Sequence, residues 1–247
     1  IIRGILNQKD KTKILEALIP AGKWDTEFLE RLLENKDLKS LGLTLQGIGE
    51  PDSFEEEFAQ VLIHFSPDEP LEVLENALSE AYFRKAIDFL STQKNINARI
   101  VLDYLSLKID FLNILSVLRK ITHPERSVRV IKGGRIPVSF LENLFSLKSL
   151  ENALKSFAYS SYSWISKEGL TLYNRTQSLS SLERLFEHKL FSFCSHLYIR
   201  GNPLSISIPL TFINFKENEV KNLRLIGKAV SFGISKDLVR GEIIYAG

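Results

Sequence analysis

The chain has 247 residues, of which 44% are hydrophobic and 25% are charged, a composition that excludes a disordered chain and allows a substantial buried core. Its 32 basic and 30 acidic residues leave a net charge of +2, so no strong attraction to nucleic acid or anionic lipid is expected. A single cysteine excludes an internal disulfide framework and is typical of a reducing compartment. The sequence shows no signal peptide and no apolar run long enough to span a membrane.

Helical patterns dominate the first half of the chain. Ser53 followed by Glu56 predicts a capped start for a helix that runs through Phe65. Pro70 suits the first turn of a second helix, whose apolar positions are Leu71, Leu74, Leu78, Ala81, Tyr82 and Phe89. A third helix is predicted from a cap at Asn97 to His123-Pro124. This segment is apolar on more than one side, so the helix is expected to be buried in the protein core. Its apolar positions are Leu102, Leu105, Ile109, Leu112, Leu115 and Leu118.

The second half is also predicted to be helical. Ser127 to Ile131 is the one plausible extended stretch. Residues 182–197 carry an unbroken apolar stripe in which only Lys189 is polar, Ser180 and Glu183 predict a capping box at its start, and Gly201-Asn202-Pro203 ends the helix. A long helix is expected from about 204 to 231, and a short one after Ser235.

The chain also resembles itself. Residues 19–32 align without gaps on 131–144, and the match extends from Lys36 and Leu38 to Lys148 and Leu150. Weaker similarities join further pairs of segments: Ile1-Ile2-Arg3-Gly4-Ile5 with 117–121, Leu74-Glu75 and Phe83 with Leu182-Glu183 and Phe191, and Asp110-x-x-Asn113 with Glu219-x-x-Asn222. We infer one truncated and two fuller copies of a helical unit of about a hundred residues. The expected units are 1–66, 67–165 and 166–247, and another helix with an acidic residue and an asparagine three positions later is expected ahead of Ile1.

No motif predicts catalysis, a cofactor or a metal. Gly22-Lys23 and Gly227-Lys228 lack the remaining residues of a phosphate-binding loop and are interpreted as turn or helix-packing glycines. The four histidines, His64, His123, His188 and His196, form no cluster with ligand spacing. Cys194 completes the apolar stripe and is interpreted as a small buried hydrophobe rather than a nucleophile.

Three further features have a structural interpretation, and two of them also have a functional alternative. Glu55-Glu56-Glu57 suits the first turn of a helix, where the helix macrodipole favours acidic side chains. Asp110/Asn113 and Glu219/Asn222 each lie on one helix face and are interpreted as structural hydrogen-bonding groups, with a partner contact as the alternative. The aromatic and serine residues of 157–164 are interpreted as packing between repeats, with a protein-contact patch as the alternative.

Taken in order, several motifs resemble the C subunit of the prokaryotic V/A-type rotary ATPases, the relative of the d subunit of vacuolar ATPases. They cover essentially the whole chain: Ala81-Tyr82-Phe83, the segment from Asp103 to Asn113, Lys132-Gly133-Gly134-Arg135-Ile136, Asn202-Pro203-Leu204, the segment 215–226, and finally Gly233-Ile234 and 237–240. The resemblance implies an all-α fold of three similar helical units in a pseudo-threefold funnel, the first unit being truncated here.

The same resemblance implies a non-catalytic adaptor of the central stalk. Its partners would be the shaft subunits and the membrane rotor ring, on the cytoplasmic face of the membrane, and it would transmit torque for coupled ion transport and ATP synthesis without a membrane span of its own. The family has no catalytic, cofactor or metal residues to transfer. Two alternatives stay open at this stage: a helical-repeat scaffold for soluble partners, and an all-helical enzyme whose site forms only in three dimensions.

Overall fold

The computed structural model describes residues 1–22 and 24–245, and only the backbone at positions 237, 238 and 241. This part of the chain is all-α, and no strand occurs in it; Ala21 and Trp24 form an isolated antiparallel bridge. A π-helical turn spans Ile165–Gly169. The α-helices are α1 Ile2–Leu6, α2 Lys11–Glu16, α3 Thr26–Leu33, α4 Leu38–Ile48, α5 Phe54–His64, α6 Leu71–Thr92, α7 Ile96–Thr122, α8 Val138–Leu144, α9 Leu150–Lys155, α10 Leu170–Thr176, α11 Leu179–Arg200, α12 Ser207–Ser231 and α13 Lys236–Glu242.

The chain divides into two compact units, Ile1–Ala86 and Ile87–Gly247. The core of the first unit is aliphatic, and α4 and α5 pack closely within it. Gly42 permits this approach, because a Cβ atom there would lie 2.8 Å from Ile63 Cγ1 and 3.0 Å from the Ala59 carbonyl oxygen. The buried side chains of this core are Leu32, Leu38, Leu41, Leu45, Ala59, Leu62 and Leu74.

The second unit is built around α7. Its central part is buried as predicted: Leu105, Ile109, Leu115 and Leu118 lie in the interior, whereas Leu102 and Leu112 are half-buried. Phe111 stacks on Phe186 of α11 with the ring centroids 5.1 Å apart, and Trp164 meets both rings edge-on. The buried core of this unit is Phe111, Ile114, Leu115, Val117, Leu118, Leu141, Leu144, Leu150, Ala153, Leu154, Phe157, Tyr162, Ile165, Leu182 and Phe186. Burial on this scale supplies most of the stabilisation of a helical unit.

Two predicted helix caps are wrong. Asn95, not Asn97, caps α7, because the Asn95 side chain accepts the Ala98 amide, whereas Asn97 Oδ1 accepts the Ile206 amide across 109 residues. The predicted capping box at Ser180 also fails, since α11 already begins at Leu179 after Ser178, whose side chain makes no capping bond. The cap at Ser53 is confirmed by its bond with the Glu56 amide.

Two segments differ from the expected secondary structure. Residues 127–131 form no strand and run as an irregular segment that ends at the contacts of Ile131 with α7. The long C-terminal helix begins at Ser207 rather than near Leu204. Asn202 explains the delay, because its side chain accepts the Leu204 amide and its carbonyl accepts the Ser205 hydroxyl, a local turn that competes with helix.

The aligned segments adopt matching local structures. On α3 and α8, Leu29 and Leu32 are buried, as are Leu141 and Leu144 at the equivalent positions. The next helix of each copy starts at an aligned cap: Asp37 accepts the Ser40 amide before α4, and Ser149 accepts the Asn152 amide before α9. Aligned positions of the two copies are therefore buried, or cap a helix, in the same way.

Two ion pairs show the same match between the copies for helices that are distant in sequence. In the first unit, Arg3 Nη2 lies 2.5 Å from Glu75 Oε1. In the second unit, Arg119 Nη2 lies 2.9 Å from Glu183 Oε2. These pairs join residues from two independent sequence similarities, 1–5 with 117–121 and 74–83 with 182–191. Such agreement supports a duplicated helical unit.

Candidate functional site

Asp110 and Asn113 hold one loop against α7. Asp110 is fully buried, and its two carboxylate oxygens accept the amides of Arg135 and Ile136, each at 3.0 Å. One turn later, Asn113 pairs with Ile131 as a second backbone would: its Oδ1 accepts the Ile131 amide and its Nδ2 donates to the Ile131 carbonyl, both at 2.8 Å. Their spacing of three residues puts both side chains on one face of α7. The structural interpretation of this pair is confirmed.

Two glycines let the loop approach that carboxylate. A Cβ atom at Gly134 would lie 2.2 Å from Asp110 Oδ1, and one at Gly133 would lie 2.0 Å from Ile87 Cδ1. Gly133 also has a φ of +103°, a conformation that other residues rarely adopt. The motif Lys132-Gly133-Gly134-Arg135-Ile136 is therefore a docking loop for α7.

Tyr162 completes the network around Asp110. Its hydroxyl donates to Asp110 Oδ2, and its ring meets Phe111 edge-on with the centroids 6.1 Å apart. Burial of the phenol, together with the hydrogen bond to the Asp110 carboxylate, raises the pKa of Tyr162 well above its usual range. The tyrosine therefore stays protonated and acts as a permanent donor that joins the 157–164 segment to α7.

Asn222 repeats the role of Asn113 near the C-terminus. Its Nδ2 donates to the Ile244 carbonyl at 2.9 Å and its Oδ1 accepts the Ile244 amide at 3.4 Å, while Asn218 donates to the same carbonyl. Glu219 departs from the pattern, since it pairs on the surface with Lys216 instead of holding a loop. The asparagine is thus the shared element of the two motifs.

Arg184 connects this C-terminal clamp to α11. Its guanidinium donates to Asn222 Oδ1 at 2.7 Å and pairs with Glu187 at 2.7 Å, and Lys221 pairs with the other oxygen of Glu187 at 2.6 Å. Burial raises the pKa of Glu187, but hydrogen bonds and charge from Lys221 and Arg184 outweigh it, and the pKa is lowered overall. The carboxylate is therefore held ionised between two cations.

The outer face of α12 is exposed and mostly apolar, and the surface ion pair of Lys216 with Glu219 interrupts it. At 100° per residue its exposed large hydrophobic side chains fall within an arc of about 140°, and Leu223 and Val230 are 60% and 77% exposed. Gly227 lies on this face with no atom within 4 Å of a hypothetical Cβ, so it is not a packing glycine. We call this the α12 face; its exposed members are Phe212, Ile213, Val220, Leu223, Ile226 and Val230.

The opposite side of α12 fixes the helix to the unit. Thr211 donates to the Cys194 carbonyl at 3.0 Å, and Phe215 stacks on Phe191 at 4.7 Å. Cys194 is fully buried, as predicted. Burial and, to a lesser extent, the Glu217 charge raise its thiol pKa to about 12, which disfavours the thiolate that a nucleophile requires.

The remaining polar candidates have structural roles in the described residues. Glu55 accepts the Trp24 indole N–H at 3.3 Å, Glu56 accepts the Asp52 amide at 2.6 Å, and Glu57 pairs with Arg84. No group of three potential metal ligands occurs within the described part of the chain. Residues of the 157–164 segment fit both interpretations given above, packing and a contact patch. Phe157 and Tyr162 pack in the core, whereas Tyr159 is fully exposed.

The profile of the family described as ATP synthase (C/AC39) subunit matches residues 1–242. The chain belongs to this family. The family is a non-catalytic subunit of the ATP synthase complex. No helix of the described residues is both long and apolar enough to cross a bilayer.

Curated relatives are named as the C subunit of A-type ATP synthase. The protein of Halobacterium salinarum is 26% identical over 252 residues, covering 99% of this chain and 69% of the relative. Those of Methanosphaera stadtmanae and Thermococcus kodakarensis are each 25% identical, covering 87% of this chain and 55% and 57% of the relatives. The chain thus spans little more than half the length of these last two relatives.

Proposed function

We propose that this chain is a coupling adaptor of the rotary ATPase, placed between the central shaft and the membrane rotor ring on the cytoplasmic side. It carries torque between ATP chemistry in the head and ion movement in the membrane, and makes or breaks no bonds itself. Membership of the C/AC39 family supports assignment to the complex. The observation that carries the finer proposal is the α12 face, an exposed surface with six large hydrophobic side chains on a helix that packs on α11 through its other side.

A torque-transmitting part needs a stiff body and a large contact surface. Stiffness comes from close packing and from clamps such as Asn113 on Ile131 and Asn222 on Ile244, where a side chain replaces a backbone hydrogen-bond partner. The contact surface comes from the part of the α12 face beyond the Lys216–Glu219 pair, where Val220, Leu223, Ile226 and Val230 are exposed, because exposed apolar patches rimmed by polar residues mark interaction sites. The matching units support the proposed assembly of three similar helical units, with the first one partial here.

The test is made in the intact complex. The Leu223→Asp/Val230→Asp double variant places two charges on exposed positions of the α12 face, so the fold of the protein should persist. The expected result is that ATP hydrolysis by the head continues while ATP-driven ion pumping and co-purification of shaft with ring are lost. Ile96→Asp, at another exposed apolar position, is the matched control and should pump normally.

Two outcomes would count against the proposal. Normal pumping by the double variant would remove the α12 face from the coupling path. Isolation of a complete, coupled complex that lacks this chain would favour the scaffold alternative, in which the partners are soluble proteins.

A further inference from the structure

A groove in the second unit has an aromatic lining and a basic rim. It is formed by residues from α7, from the loop and helix after Gly134, from the 157–164 segment and from α11, and its cavity volume is about 720 Å³. That volume lies within the roughly 300–1,000 Å³ of typical ligand pockets. Trp164, Phe193 and Tyr159 are among the aromatic residues that line it.

The lining contains two basic side chains, Arg135 and Lys189, and one histidine, His196. Arg135 and His196 are exposed at the rim, and Lys189 extends its ammonium group over the Trp164 ring, 5.0 Å from the centroid. No carboxylate is among the described residues that line the groove. Arg135 pairs with Asp103 and Lys189 with Glu168, and neither carboxylate lines the groove. The Arg135–Asp103 pair is exposed, so a bound carboxylate can replace Asp103, whereas the Lys189 side chain is half-buried beside Trp164.

The backbone at the edge of the groove is unusual. Trp164 directly precedes the π-helical turn Ile165–Gly169, and Glu168 of that turn pairs with Lys189. π-Helical turns are rare and occur frequently at functional sites. Here the turn sets the position of the Trp164 ring between the core aromatics and the groove.

We propose that this groove binds an acidic peptide segment of a partner protein, anchored by an aromatic or large aliphatic side chain. An apolar floor with charged groups at an exposed rim is the arrangement of a protein interface. A small-molecule pocket instead relies on buried polar groups. The buried hydroxyl of the described lining, that of Tyr162, already donates to Asp110. The basic rim selects the acidic partner. The inference does not depend on torque transmission, so either proposal can fail alone.

The probe is a fluorescein-labelled octapeptide, Gly-Asp-Glu-Phe-Leu-Glu-Asp-Gly, titrated with the purified full chain and followed by fluorescence anisotropy. We expect saturable binding at about 50 mM salt that weakens as salt screens the rim charges. A peptide with lysine in place of each acidic residue should not bind, and one with Ser-Ser in place of Phe-Leu should bind at least about tenfold more weakly, because it lacks the anchor.

Charge variants locate the site. Arg135→Glu/His196→Glu should weaken binding of the acidic peptide about tenfold, and Tyr159→Ser, at a fully exposed position, about threefold. Arg175→Glu/His188→Glu introduces the same charges at exposed positions outside the groove and should stay within about twofold of the wild type. Absence of wild-type binding, equal binding by the two double variants, or undiminished binding of the Ser-Ser peptide would each overturn the proposal.

Discussion

Asp110→Asn tests how the docking loop is held on α7. The carboxylate accepts three donors: the Ile136 amide at one oxygen, and the Arg135 amide and the Tyr162 hydroxyl at the other. An asparagine keeps one acceptor oxygen and presents an NH₂ group to the remaining donors. In either orientation of the side-chain amide, one backbone N–H faces another donor.

The size of the effect follows from burial. Asp110 is fully buried, so the orphaned amide costs about 1–3 kcal/mol, and the loss of charge weakens the two surviving bonds. We expect the free energy of unfolding to fall by about 3 kcal/mol. Asp103→Asn is the control on the same helix: it removes an exposed pair with Arg135 and should cost less than about 0.5 kcal/mol.

The assay is urea unfolding followed by Trp164 fluorescence in a Trp24→Phe background, which reports on the second unit. Hydrogen exchange gives the local readout, since the Arg135 and Ile136 amides should lose protection in Asp110→Asn and keep it in Asp103→Asn. Equal unfolding free energies for the two variants, or unchanged protection of both amides, would refute the clamp.

Three further predictions follow from other contacts. Asn113→Ala should lower the free energy of unfolding by about 2 kcal/mol, because it leaves both backbone groups of Ile131 without their partner. The same urea assay measures this loss, and a loss below about 0.5 kcal/mol would contradict the prediction. The Cys194 thiol should react with a disulfide reagent at about pH 8 only as fast as the protein unfolds, since its pKa is about 12 and it is buried; rapid labelling of folded protein would count against this. Glu187 has a folded-state pKa below the ordinary 4.5, so its stabilising contribution is present above that pH and is lost as pH falls through the folded value. Glu187→Gln should therefore flatten the acid limb of a stability–pH profile, and an unchanged limb would show that the ion pairs contribute little.

The sequence alone determined the helical class and predicted the internal repeat. Apolar spacing predicted α11 and the buried α7, since helical periodicity is local information. The alignment of 19–32 with 131–144 predicted equivalent helices, and α3 and α8 bury equivalent leucines. The spacing of Asp110 and Asn113 predicted structural hydrogen bonds, because both residues share a helix face, although it did not reveal which backbone atoms they hold.

Tertiary structure decided what depends on distant residues. Asn97 has the local features of a cap, but its side chain serves Ile206, and Asn95 caps α7 instead. Ser127 to Ile131 has strand-like residues, but its end is held by Asn113 rather than by another strand. Periodicity also cannot tell which apolar face of a long helix will be covered. The α12 face stays exposed because α12 packs on α11 through its other side, a contact that only the three-dimensional arrangement fixes.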